Sequence, residues 1–514
     1  MINEKTIEKV IDELSFVQLK SEIKEENSVK HFVIGTQTKD GLSPLEWKVA
    51  ISPYYPFKVD DKEPINFFNT SLITYPHIMR SGFVCLHTPK VEDAETQFLI
   101  DLSRLKEWID KYYVRKEKDD HYEELVVERK LIDDIYYNFF YTDTSNEFPH
   151  GDYGTVDLVM LVPGCHDGKR MDTFLANTFN SKAHNAQNGC QWEQGLQRQI
   201  KFEGIYCFLD KAPSVYDKFI IELYTDMSSL FSWSQMEFLK MWSQKKHDAK
   251  RVPLFCGYKI PNGETRWQVA MLKANDFPIK SEKTRCGGRP IINNTFKKAL
   301  IDWATTYNCS YNYFFGRGSL PSKVAEKKIL IIGIGAIGSM VATTLVRCGA
   351  KYLDYYDIDL KEPGNICRSD YDFLSGVSDK TYELSSILHS ISPFVQCEIP
   401  SKALDSGIKQ SIDNEGIKKT VQEVLNRYDI IFDCSTDDGL MYALDKLNLK
   451  AKVINLSISN HANEIVCAIG SNIAKTIKVL FSQIIESDTT DMFSPRVLSS
   501  ARFLHWHLPK LHSR

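Results

Sequence analysis

Residues 329–368 read ILIIGIGAIGSMVATTLVRCGAKYLDYYDIDLKEPGNICR, and this stretch decides the fold of the region around it. The apolar run Ile329–Ile332 is short, rich in isoleucine and followed directly by glycine, which is typical of a buried parallel strand. A helix is predicted over Ser339–Arg347, and Cys348-Gly349 ends it. A second apolar run, Tyr352–Tyr356, predicts the next strand. The order is that of a strand–helix–strand unit in a parallel sheet.

Three glycines form the turn between that strand and that helix. Gly333 permits a tight turn, Gly335 lets a phosphate approach the backbone, and Gly338 lets the helix pack closely against the strand. The amides of the first helical turn then face the phosphates. Asp357 directly follows the second strand, at the position where an acidic side chain binds ribose hydroxyls. Together these residues predict a Rossmann-like, mainly parallel fold that binds a nucleotide.

The residues that follow decide which nucleotide chemistry this fold serves. A GxGxxG turn alone is typical of nicotinamide and flavin dehydrogenases. Here Asp359, Asn365 and Arg368 come next, and Lys380 lies twelve residues beyond the arginine. A dehydrogenase has no general need for two cations there, whereas an enzyme that attacks the α-phosphate of ATP must neutralise the departing pyrophosphate. The sequence therefore favours adenylate transfer.

The order of these elements resembles the ThiF, MoeB and ubiquitin-activating adenylyltransferase family over roughly residues 313–470. The resemblance implies that Asp357 holds the ribose of ATP, with Asn365, Arg368 and Lys380 on its phosphates. Solvation at the surface is the alternative role for Lys380. The positions that the resemblance assigns to ATP are Gly333, Gly335, Gly338, Asp357, Asp359, Asn365, Arg368 and Lys380.

Two further assignments come from the same resemblance. Asp437 lies in Phe-Asp-Cys-Ser-Thr-Asp-Asp, after the apolar run Ile430–Phe432, and would bind Mg²⁺. The family usually has the shorter segment Asp-Cys-Thr-Asp-Asn, so Asp438 is a second candidate. Arg317, in Phe-Phe-Gly-Arg-Gly, occupies the place of a catalytic arginine that reaches ATP, often from a partner subunit. Its alternative role is also surface solvation.

Length and composition exclude several classes of protein. At 514 residues the chain is too long for one ordinary domain, and 43% hydrophobic with 25% charged residues is typical of soluble globular proteins. A net charge of −4 gives no electrostatic reason to expect binding to nucleic acid or to an anionic membrane. No apolar run reaches the roughly 20 residues that span a bilayer, and the N-terminus lacks the pattern of a signal peptide.

The chain has twelve cysteines, and none of them forms a CxxC pair. Without a secretory signal, these cysteines indicate reduced thiols in a cytoplasmic protein, and a structural zinc site is not expected. Cys467 lies in Ile-Val-Cys-Ala-Ile, which predicts a structural residue in the middle of a buried strand. The scattered histidines without metal-ligand spacing are His121, His150, His166 and His184.

Cys85 is the exception among the cysteines. A free cysteine is most often a small core residue, but here Tyr75-Pro-His77-Ile, six connecting residues and Cys85-Leu resemble the His-Pro-Asn-Ile and Gly-x-x-Cys-Leu of ubiquitin-conjugating enzymes. Positions 77 and 85 keep that family's spacing of eight residues. The resemblance covers residues 1–145 and implies an α+β ubiquitin-conjugating-like fold with a thioester on Cys85. A thioester keeps an acyl group activated for transfer to a thiol or an amine.

His77 stands where that family has an asparagine that supports the loop and stabilises an oxyanion. An imidazole N–H donates the same kind of hydrogen bond, so His77 is a candidate catalytic residue, with a purely structural role as the alternative. The family's Trp-Ser-Pro after the cysteine is missing, so the surface for the acceptor is expected to differ.

The rest of the sequence predicts helices and strands, and residues 146–310 match no named motif. The predicted helices lie around residues 7–14, Asp101–Tyr112 and Ser234–Trp242, and the predicted strands are Lys30–Gly35, Trp47–Ser52, Thr155–Val162, Gly204–Leu209 and Phe219–Tyr224. The aromatic-rich stretch Trp303–Tyr313 is expected to pack at the approach to the adenylation domain. We expect a conjugating-enzyme-like domain at 1–145, a linker or spacer domain at 146–310 and an adenylation domain at 311–492.

Residues 493–514 form an atypical tail with four Lys or Arg, three His and no acidic residue. Activating enzymes of the family continue past the magnesium aspartate with a segment that bears the catalytic cysteine. We therefore expect that the chain is truncated or frame-shifted near 493, with an incomplete adenylation domain that lacks the activating cysteine. A basic peptide-binding tail is the competing explanation.

A conjugating-like region ahead of a ThiF-like region is similar to the bacterial fusion enzymes of CBASS antiphage operons, the CD-NTase-associated protein 2 family. That resemblance implies a homodimer that uses ATP and Mg²⁺ to adenylate the C-terminus of a cGAS-like nucleotidyltransferase and transfers it through Cys85 to an amine acceptor. Two rival interpretations are a sulfur-carrier adenylyltransferase and a non-catalytic ATP-binding scaffold. The cysteine region at 1–145 argues against the first rival.

Overall fold

The computed structural model describes residues 2–38, 43–60, 62–86, 88–117, 125–192, 201–246, 249–286, 289–459, 464–469, 473 and 476–477. The tail predicted at 493–514 and His121 lie outside these residues. The chain divides into two compact units. The first unit comprises Met1–Val127, Lys211–Met227 and Lys259–Thr265, and the second comprises Glu128–Asp210, Ser228–Tyr258 and Arg266–Arg514. No helix among the described residues is both long enough and apolar enough to cross a membrane.

Both units mix helices and strands. The α-helices are α1 (Glu4–Glu13), α2 (Ala94–Trp108), α3 (Tyr224–Met227), α4 (Trp233–Ser243), α5 (Tyr311–Phe315), α6 (Ser322–Ala325), α7 (Ala336–Arg347), α8 (Pro363–Ile366), α9 (Lys380–Ile391), α10 (Leu404–Gln410), α11 (Glu415–Leu425) and α12 (Asp438–Lys446). The strands are β1 (Val17–Leu19), β2 (Lys24–Glu26), β3 (Val29–Thr36), β4 (Leu45–Ile51), β5 (Ile65–Phe68), β6 (Ile135–Tyr141), β7 (Tyr153–Met160), β8 (Gly164–His166), β9 (Lys169–Ser181), β10 (Gln187–Gly189), β11 (Lys201–Phe208), β12 (Ser214–Val215), β13 (Phe219–Ile220), β14 (Arg251–Lys259), β15 (Thr265–Lys273), β16 (Ile279–Cys286), β17 (Arg289–Phe296), β18 (Trp303–Asn308), β19 (Lys328–Ile332), β20 (Tyr352–Tyr356), β21 (Leu360–Lys361), β22 (Ser378–Asp379), β23 (Ile430–Asp433), β24 (Lys452–Ser459) and β25 (Glu464–Ile469).

The first unit contains an antiparallel sheet in the order β1-β3-β4-β5, with β2 also paired to β3. In β4 the buried side chains alternate with partly or fully exposed ones, which is the pattern of a strand with one face on the core. Helix α1 begins after Asn3, whose side chain accepts a hydrogen bond from the Thr6 amide, and buries its apolar face. Helix α2 continues into a π-helical turn, Ile109–Val114. The core lies between these helices and the sheet.

The second unit begins with a nine-stranded sheet in the order β10-β9-β6-β18-β15-β14-β11-β7, with β8 paired to β9. Because β7 also pairs with β9, the strands other than β8 and β10 close into a ring. Aromatic side chains fill its core, and the rings of Phe179 and Trp267 stack at 4.6 Å. A closed ring removes the exposed strand edges that promote aggregation.

The third major sheet has the order β20-β19-β23-β24-β25. The first four strands are parallel and only β25 runs antiparallel to its neighbour in this sheet. Separate hydrophobic clusters cover its two faces. Burial on both faces explains why the central strands are continuous apolar runs rather than alternating ones.

Aromatic side chains join the ring of strands to the parallel sheet within the second unit, as the sequence predicted for this approach. The Trp192 and Phe394 rings stack at 5.8 Å, and Tyr311 meets Phe394 edge-on at 5.7 Å. Arg266 lies over the Tyr313 ring, 4.3 Å from its centre. These contacts pack helix α5 beside the segment that follows helix α9 of the parallel sheet region.

Most of the predicted elements are confirmed within a few residues, but the helix predicted from Asp101 begins seven residues earlier, at Ala94, and two further predictions are wrong in part. A strand was expected over Phe219–Tyr224, but only Phe219–Ile220 is a strand and Tyr224 begins a short helix. Cys467 does lie in the middle of strand β25, but its side chain is exposed rather than buried. The exposed and buried positions alternate along this strand, so one face is covered and Cys467 is on the other.

Candidate functional site

The glycine-rich turn connects β19 to α7, and its three glycines have different surroundings. Gly333 has a φ of +81°, and a Cβ added there would come within 2.6 Å of the Ser435 Cα atom. A Cβ on Gly338 would lie 1.9 Å from the Gly333 carbonyl oxygen. A Cβ on Gly335 would meet nothing within 4 Å. Two of the glycines are therefore needed for packing, and the space beside the third is open to a ligand.

Hydrogen bonds hold the turn from both sides. The Gly333 amide donates to the Tyr356 carbonyl at 2.8 Å, and the Ile334 amide donates to Asp357 Oδ2 at 2.9 Å. The buried Tyr371 hydroxyl donates to the Ile334 carbonyl at 2.6 Å. No sequence motif pointed to Tyr371, which is 37 residues away along the chain.

Helix α7 begins directly after this turn. Its N-cap is Gly335, and no side chain caps it. The amides of the first helical turn thus have no side-chain acceptor, and the positive end of the helix dipole is left for an anion. Such a helix start beside an open glycine is suited to bind phosphate groups.

Three of the predicted residues come together at the carboxyl end of β20. Asp357 Oδ1 accepts a hydrogen bond from the Asp359 amide at 2.8 Å. The Lys380 Nζ lies 3.6 Å from Asp357 Oδ1 and 3.1 Å from Asp359 Oδ2. The side chains of Asp357 and Lys380 are each 8% exposed, whereas that of Asp359 is 68% exposed. Lys380 is thus a partly buried cation held between two carboxylates, at the start of α9.

The other predicted contacts to ATP lie on short helical segments. Asn365 is half-buried in α8, and its Oδ1 accepts a hydrogen bond from the Glu362 amide at 2.8 Å. Arg368 is exposed just after α8, and Arg317 is exposed between α5 and α6. Within the part of the chain that the structure describes, no hydrogen bond or ion pair joins either arginine to the group around Asp357.

A buried ion pair supports the segment between Arg368 and Lys380. The Lys361 ammonium lies 2.7 Å from Glu383 Oε2, and it donates to the Asp372 carbonyl at 2.6 Å. The Lys361 side chain is fully buried, and that of Glu383 is 5% exposed. Burial would raise the pKa of Glu383, but hydrogen bonds from Lys361, Ser378 and the Asp372 amide together lower it below its usual value.

Asp437 is the N-cap of α12. Its Oδ1 accepts a hydrogen bond from the Leu440 amide at 2.9 Å, and its Oδ2 lies 2.6 Å from the Lys409 Nζ. The pKa of Asp437 is lowered, chiefly by the hydrogen bond from Lys409. Lys409 is also paired with Asp405 at 3.1 Å. No sequence motif pointed to Lys409, because it meets Asp437 only through the packing of α10 beside α12.

Whether this carboxylate suits Mg²⁺ is decided by the chemistry of the donors. Magnesium prefers oxygen ligands and is commonly bound by one or two carboxylates together with substrate phosphates. Asp437 already has a cation, the Lys409 ammonium, beside Oδ2. The neighbouring Asp438 is exposed at the first position of α12. A metal ion at Asp437 would have to displace the Lys409 ammonium from Oδ2, and the described residues contain no cluster of three or more side chains that could hold a metal ion.

A second candidate site lies in the first unit, around Cys85. The Cys85 amide donates to the His77 carbonyl at 2.8 Å, and Ile78 and Val84 pair as an antiparallel bridge. The chain turns back at Gly82, which has a φ of +85°. The spacing of eight residues thus places positions 77 and 85 opposite each other at the base of a small hairpin. The Cys85 side chain is partly exposed.

His77 has an unusual backbone conformation and a buried partner. Its φ is +59°, in the left-handed region that asparagine, aspartate and histidine adopt more readily than other non-glycine residues. Its Nε2 lies 3.1 Å from the Tyr112 hydroxyl, and the two rings are 5.2 Å apart. A histidine in the place of asparagine is therefore compatible with this backbone.

The region that contains the glycine turn matches the model of a known protein family. Residues 311–454 match the model of the ThiF family. The chain carries a ThiF domain. This match contains the turn, Asp357, Lys380 and Asp437, so the candidate site described above lies within it.

The chain is also similar to two curated proteins over parts of its length. It is 31% identical over 159 residues to the ATP-dependent ubiquitin transferase-like protein Cap2 of Enterobacter hormaechei subsp. hoffmannii, which covers 31% of this chain and 25% of that protein. It is 33% identical over 78 residues to the ubiquitin-like modifier-activating enzyme 5 of Caenorhabditis elegans, which covers 15% of this chain and 18% of the enzyme. The matched stretches thus span a quarter or less of these relatives.

Among solved structures, the chain is similar to E. coli MccB crystallised with ATP. The match has 19% identity and covers 35% of this chain and 53% of that one. Its TM-score of 0.26 is too low to support an argument about the fold.

Proposed function

We propose that this chain uses ATP and Mg²⁺ to adenylate the C-terminal carboxylate of a partner protein and then transfers the acyl group, through cysteine thioesters, to an amine. The observation that carries the proposal is the open Gly335 beside the uncapped start of α7, next to Asp357 and Lys380, inside the ThiF match. The similarity to Cap2, named as an ATP-dependent ubiquitin transferase-like protein, supports the chemistry.

Different residues of the ThiF domain would bind different parts of the nucleotide. The α7 amides and the space at Gly335 would hold the phosphates, and Asp357 would accept hydrogen bonds from the ribose. Arg368, Asn365 and Lys380 would hold the charge of the departing pyrophosphate, with Arg317 supplied by a second copy. Bound Mg²⁺ at Asp437 would supply further charge neutralisation on the phosphates.

The adenylation step forms one bond to the α-phosphorus and breaks one. An oxygen of the partner's carboxylate forms a bond to the α-phosphorus, and the bond from that phosphorus to the bridging oxygen of pyrophosphate breaks. The ThiF residues act by position and charge, because no covalent bond to the protein forms in this step. Their cationic side chains therefore need to face the leaving group rather than the carboxylate.

Cys85 would act after adenylation. Its thiolate attacks the carbonyl of an acyl thioester, the incoming C–S bond forms, and the thiolate of the donor cysteine leaves. An amine then attacks the same carbonyl, and the Cys85 thiolate leaves. The helix–antiparallel sheet–helix order of the first unit supports a ubiquitin-conjugating-like domain within residues 1–145. The hairpin that places His77 beside Cys85 supports a role for both residues in this transfer.

The partner and the biological setting are part of the same proposal. Similarity to Cap2 supports a cGAS-like nucleotidyltransferase as the partner, a role in CBASS antiphage defence and a cytoplasmic location. A homodimer through the ThiF domain is supported by exposed apolar side chains near its nucleotide site. These include Phe373, Leu374, Val377 and Tyr382, which are 63–93% exposed in the single chain.

ATP–pyrophosphate exchange tests the proposal. The purified full chain is assayed with and without a cGAS-like nucleotidyltransferase, and with that protein lacking its last residues. We expect exchange only with the intact C-terminus, and a fall of at least about 100-fold for Asp437→Ala. Asp413→Ala removes an exposed carboxylate elsewhere in the same domain and should exchange like the unaltered chain. Asp438→Ala decides between the two magnesium candidates. Binding of the partner without any exchange would contradict the proposal and favour a scaffold.

A further inference from the structure

The Cys85 hairpin, residues 77–85, contacts a segment from much later in the chain. That segment, Lys211–Met227, belongs to the same compact unit as Met1–Val127. Its strands β12 and β13 pair as a small antiparallel hairpin, and Lys218 directly precedes β13. We propose that Lys218 is a positioning residue of the thioester site, which fixes the backbone around Cys85 and thereby sets the rate at which an acyl group leaves this cysteine.

The Lys218 ammonium donates two hydrogen bonds to the backbone on either side of His77. It lies 2.5 Å from the Tyr75 carbonyl oxygen and 2.7 Å from the Ile78 carbonyl oxygen. The His77 carbonyl in turn accepts the hydrogen bond of the Cys85 amide at 2.8 Å. Hydrogen bonds from a charged donor are roughly twice as strong as those between neutral groups. A continuous series of contacts therefore joins Lys218 to the backbone at position 85.

A second cation joins the same two segments from the other direction along the chain. Arg80 lies in the turn of the Cys85 hairpin, forms an ion pair with Glu222 and donates to the Ile220 carbonyl at 3.0 Å. The centre of the Phe219 ring is 4.9 Å from the Lys218 Nζ and 5.5 Å from the Arg80 Cζ. Each segment thus supplies one cationic side chain that binds backbone of the other.

The turn that leads to Lys218 has a strained backbone. The φ angles of Tyr216 and Asp217 are +56° and +58°. Hairpin turns with positive φ usually contain glycine or asparagine there, and a bulky residue in this region is an outlier. Strained backbone persists only where the surrounding structure holds it, and it is concentrated at functional sites. The contacts of Lys218 and Phe219 with the Cys85 hairpin hold the turn in this conformation.

The inference rests on the proposed function and deepens it, because it names a group that positions the thioester. When an amine attacks the acyl carbon, a C–N bond forms and the C–S bond breaks. The electron pair of that bond goes to the Cys85 sulfur, and the extra proton of the amine goes to water. Lys218 takes no part in these bond changes. It acts by holding the hairpin in place, since a displacement of about 1 Å can slow a reaction between positioned groups on the order of 100-fold.

The test compares the unaltered full chain with Lys218→Met, Lys218→Arg and the control Lys211→Met. Each is loaded by exchange with the mercaptoethanesulfonate thioester of a fluorescent peptide, and the rate of discharge to free lysine is measured. Cys85→Ala gives the background from other thiols. We expect Lys218→Met to slow discharge roughly tenfold. Lys218→Arg should keep most of the rate, because a guanidinium also donates to two carbonyls. Lys211 is exposed in the same segment, and its loss should have no effect. Equal rates in Lys218→Met and Lys211→Met would overturn the inference.

Hydrogen exchange on a peptide that covers residues 77–86 reads the hairpin without any loading. We expect exchange about 10- to 100-fold faster in Lys218→Met, and unchanged exchange in β3 and β4. If β3 and β4 are also affected, Arg80→Met decides, because Arg80 is 46% exposed and its loss leaves the core intact. Discharge from Arg80→Met as fast as from the unaltered chain would then overturn the inference. If Cys85 does not load in the unaltered chain, the proposed function fails, and unchanged exchange in the hairpin of Lys218→Met would separately contradict the role of Lys218.

Discussion

Gly338 provides a strict test of the glycine turn, because the space for its side chain is already occupied. An added Cβ would lie 1.9 Å from the Gly333 carbonyl oxygen and 3.4 Å from Ile331 Cγ2. A separation below 3.0 Å is essentially never seen, so α7 and the turn must separate by at least 1.1 Å. Protein interiors resist such movement, and overpacking typically costs about 1–3 kcal/mol. Since the obstacle is a backbone atom, we expect the Gly338→Ala cost near the upper end, about 2–3 kcal/mol.

Hydrogen exchange on peptides from β19 and β23 is the suitable assay. Unfolding of a chain with two compact units is not expected to be two-state, so a global melting curve would mix their stabilities. A loss of about 2–3 kcal/mol corresponds to exchange roughly 30- to 150-fold faster in these strands. Gly364→Ala is the matched control, because nothing lies within 4 Å of its added Cβ. Exchange in Gly338→Ala as slow as in this control would refute the packing argument.

Three other predictions concern charge and access. Lys361→Met should destabilise the segment 372–378 by about 3–5 kcal/mol, because it leaves the buried Glu383 unpaired, and exchange at the Asp372 amide would report this. Asp437, whose pKa is lowered chiefly by the hydrogen bond from Lys409, contributes stability above its unfolded-state pKa of about 4 and loses it as the pH falls further. Lys409→Met should weaken this acid dependence without abolishing it, because the Leu440 and Gly439 amides also lower the pKa, and hydrogen exchange in α12 between pH 3 and 6 would measure the change. Iodoacetamide should modify the exposed Cys165, Cys367 and Cys467. It should spare Cys207, Cys256 and Cys434, because these thiols are buried and burial raises their pKa. Peptide mass spectrometry would show which cysteines are modified.

The predictions of local structure that are confirmed depended on local patterns. The run Ile329–Ile332, the glycine turn and Asp357 are adjacent in sequence, and hydrophobicity, glycine geometry and strand ends are local properties. The spacing between His77 and Cys85 likewise described one hairpin closed by its own backbone hydrogen bonds. Such features need no knowledge of how distant segments pack.

The residues that sequence reasoning missed all act across long separations. Lys409 meets Asp437 over 28 positions, and Tyr371 meets Ile334 over 37. Tyr112 reaches His77 over 35 positions, from a π-helical turn that the apolar pattern of a regular helix does not reveal. The closure of the ring of strands through β7 and β9 also depends on pairing that no hairpin signal specifies.

The two lysines of the ThiF site differ in what a bound nucleotide would require of them. The Lys409–Asp437 pair is more than a third exposed on both sides, so it contributes only about 0–1 kcal/mol and would cost little to break. Lys380 is buried beside Asp357, where loss of a partner would be far more costly. An ammonium has three donors, and among the described residues the Lys380 Nζ donates one hydrogen bond, to the exposed Asp359. In the proposed complex with ATP, Lys380 would therefore face a phosphate without leaving its carboxylates, whereas Lys409 would have to release Asp437 before a metal bound there.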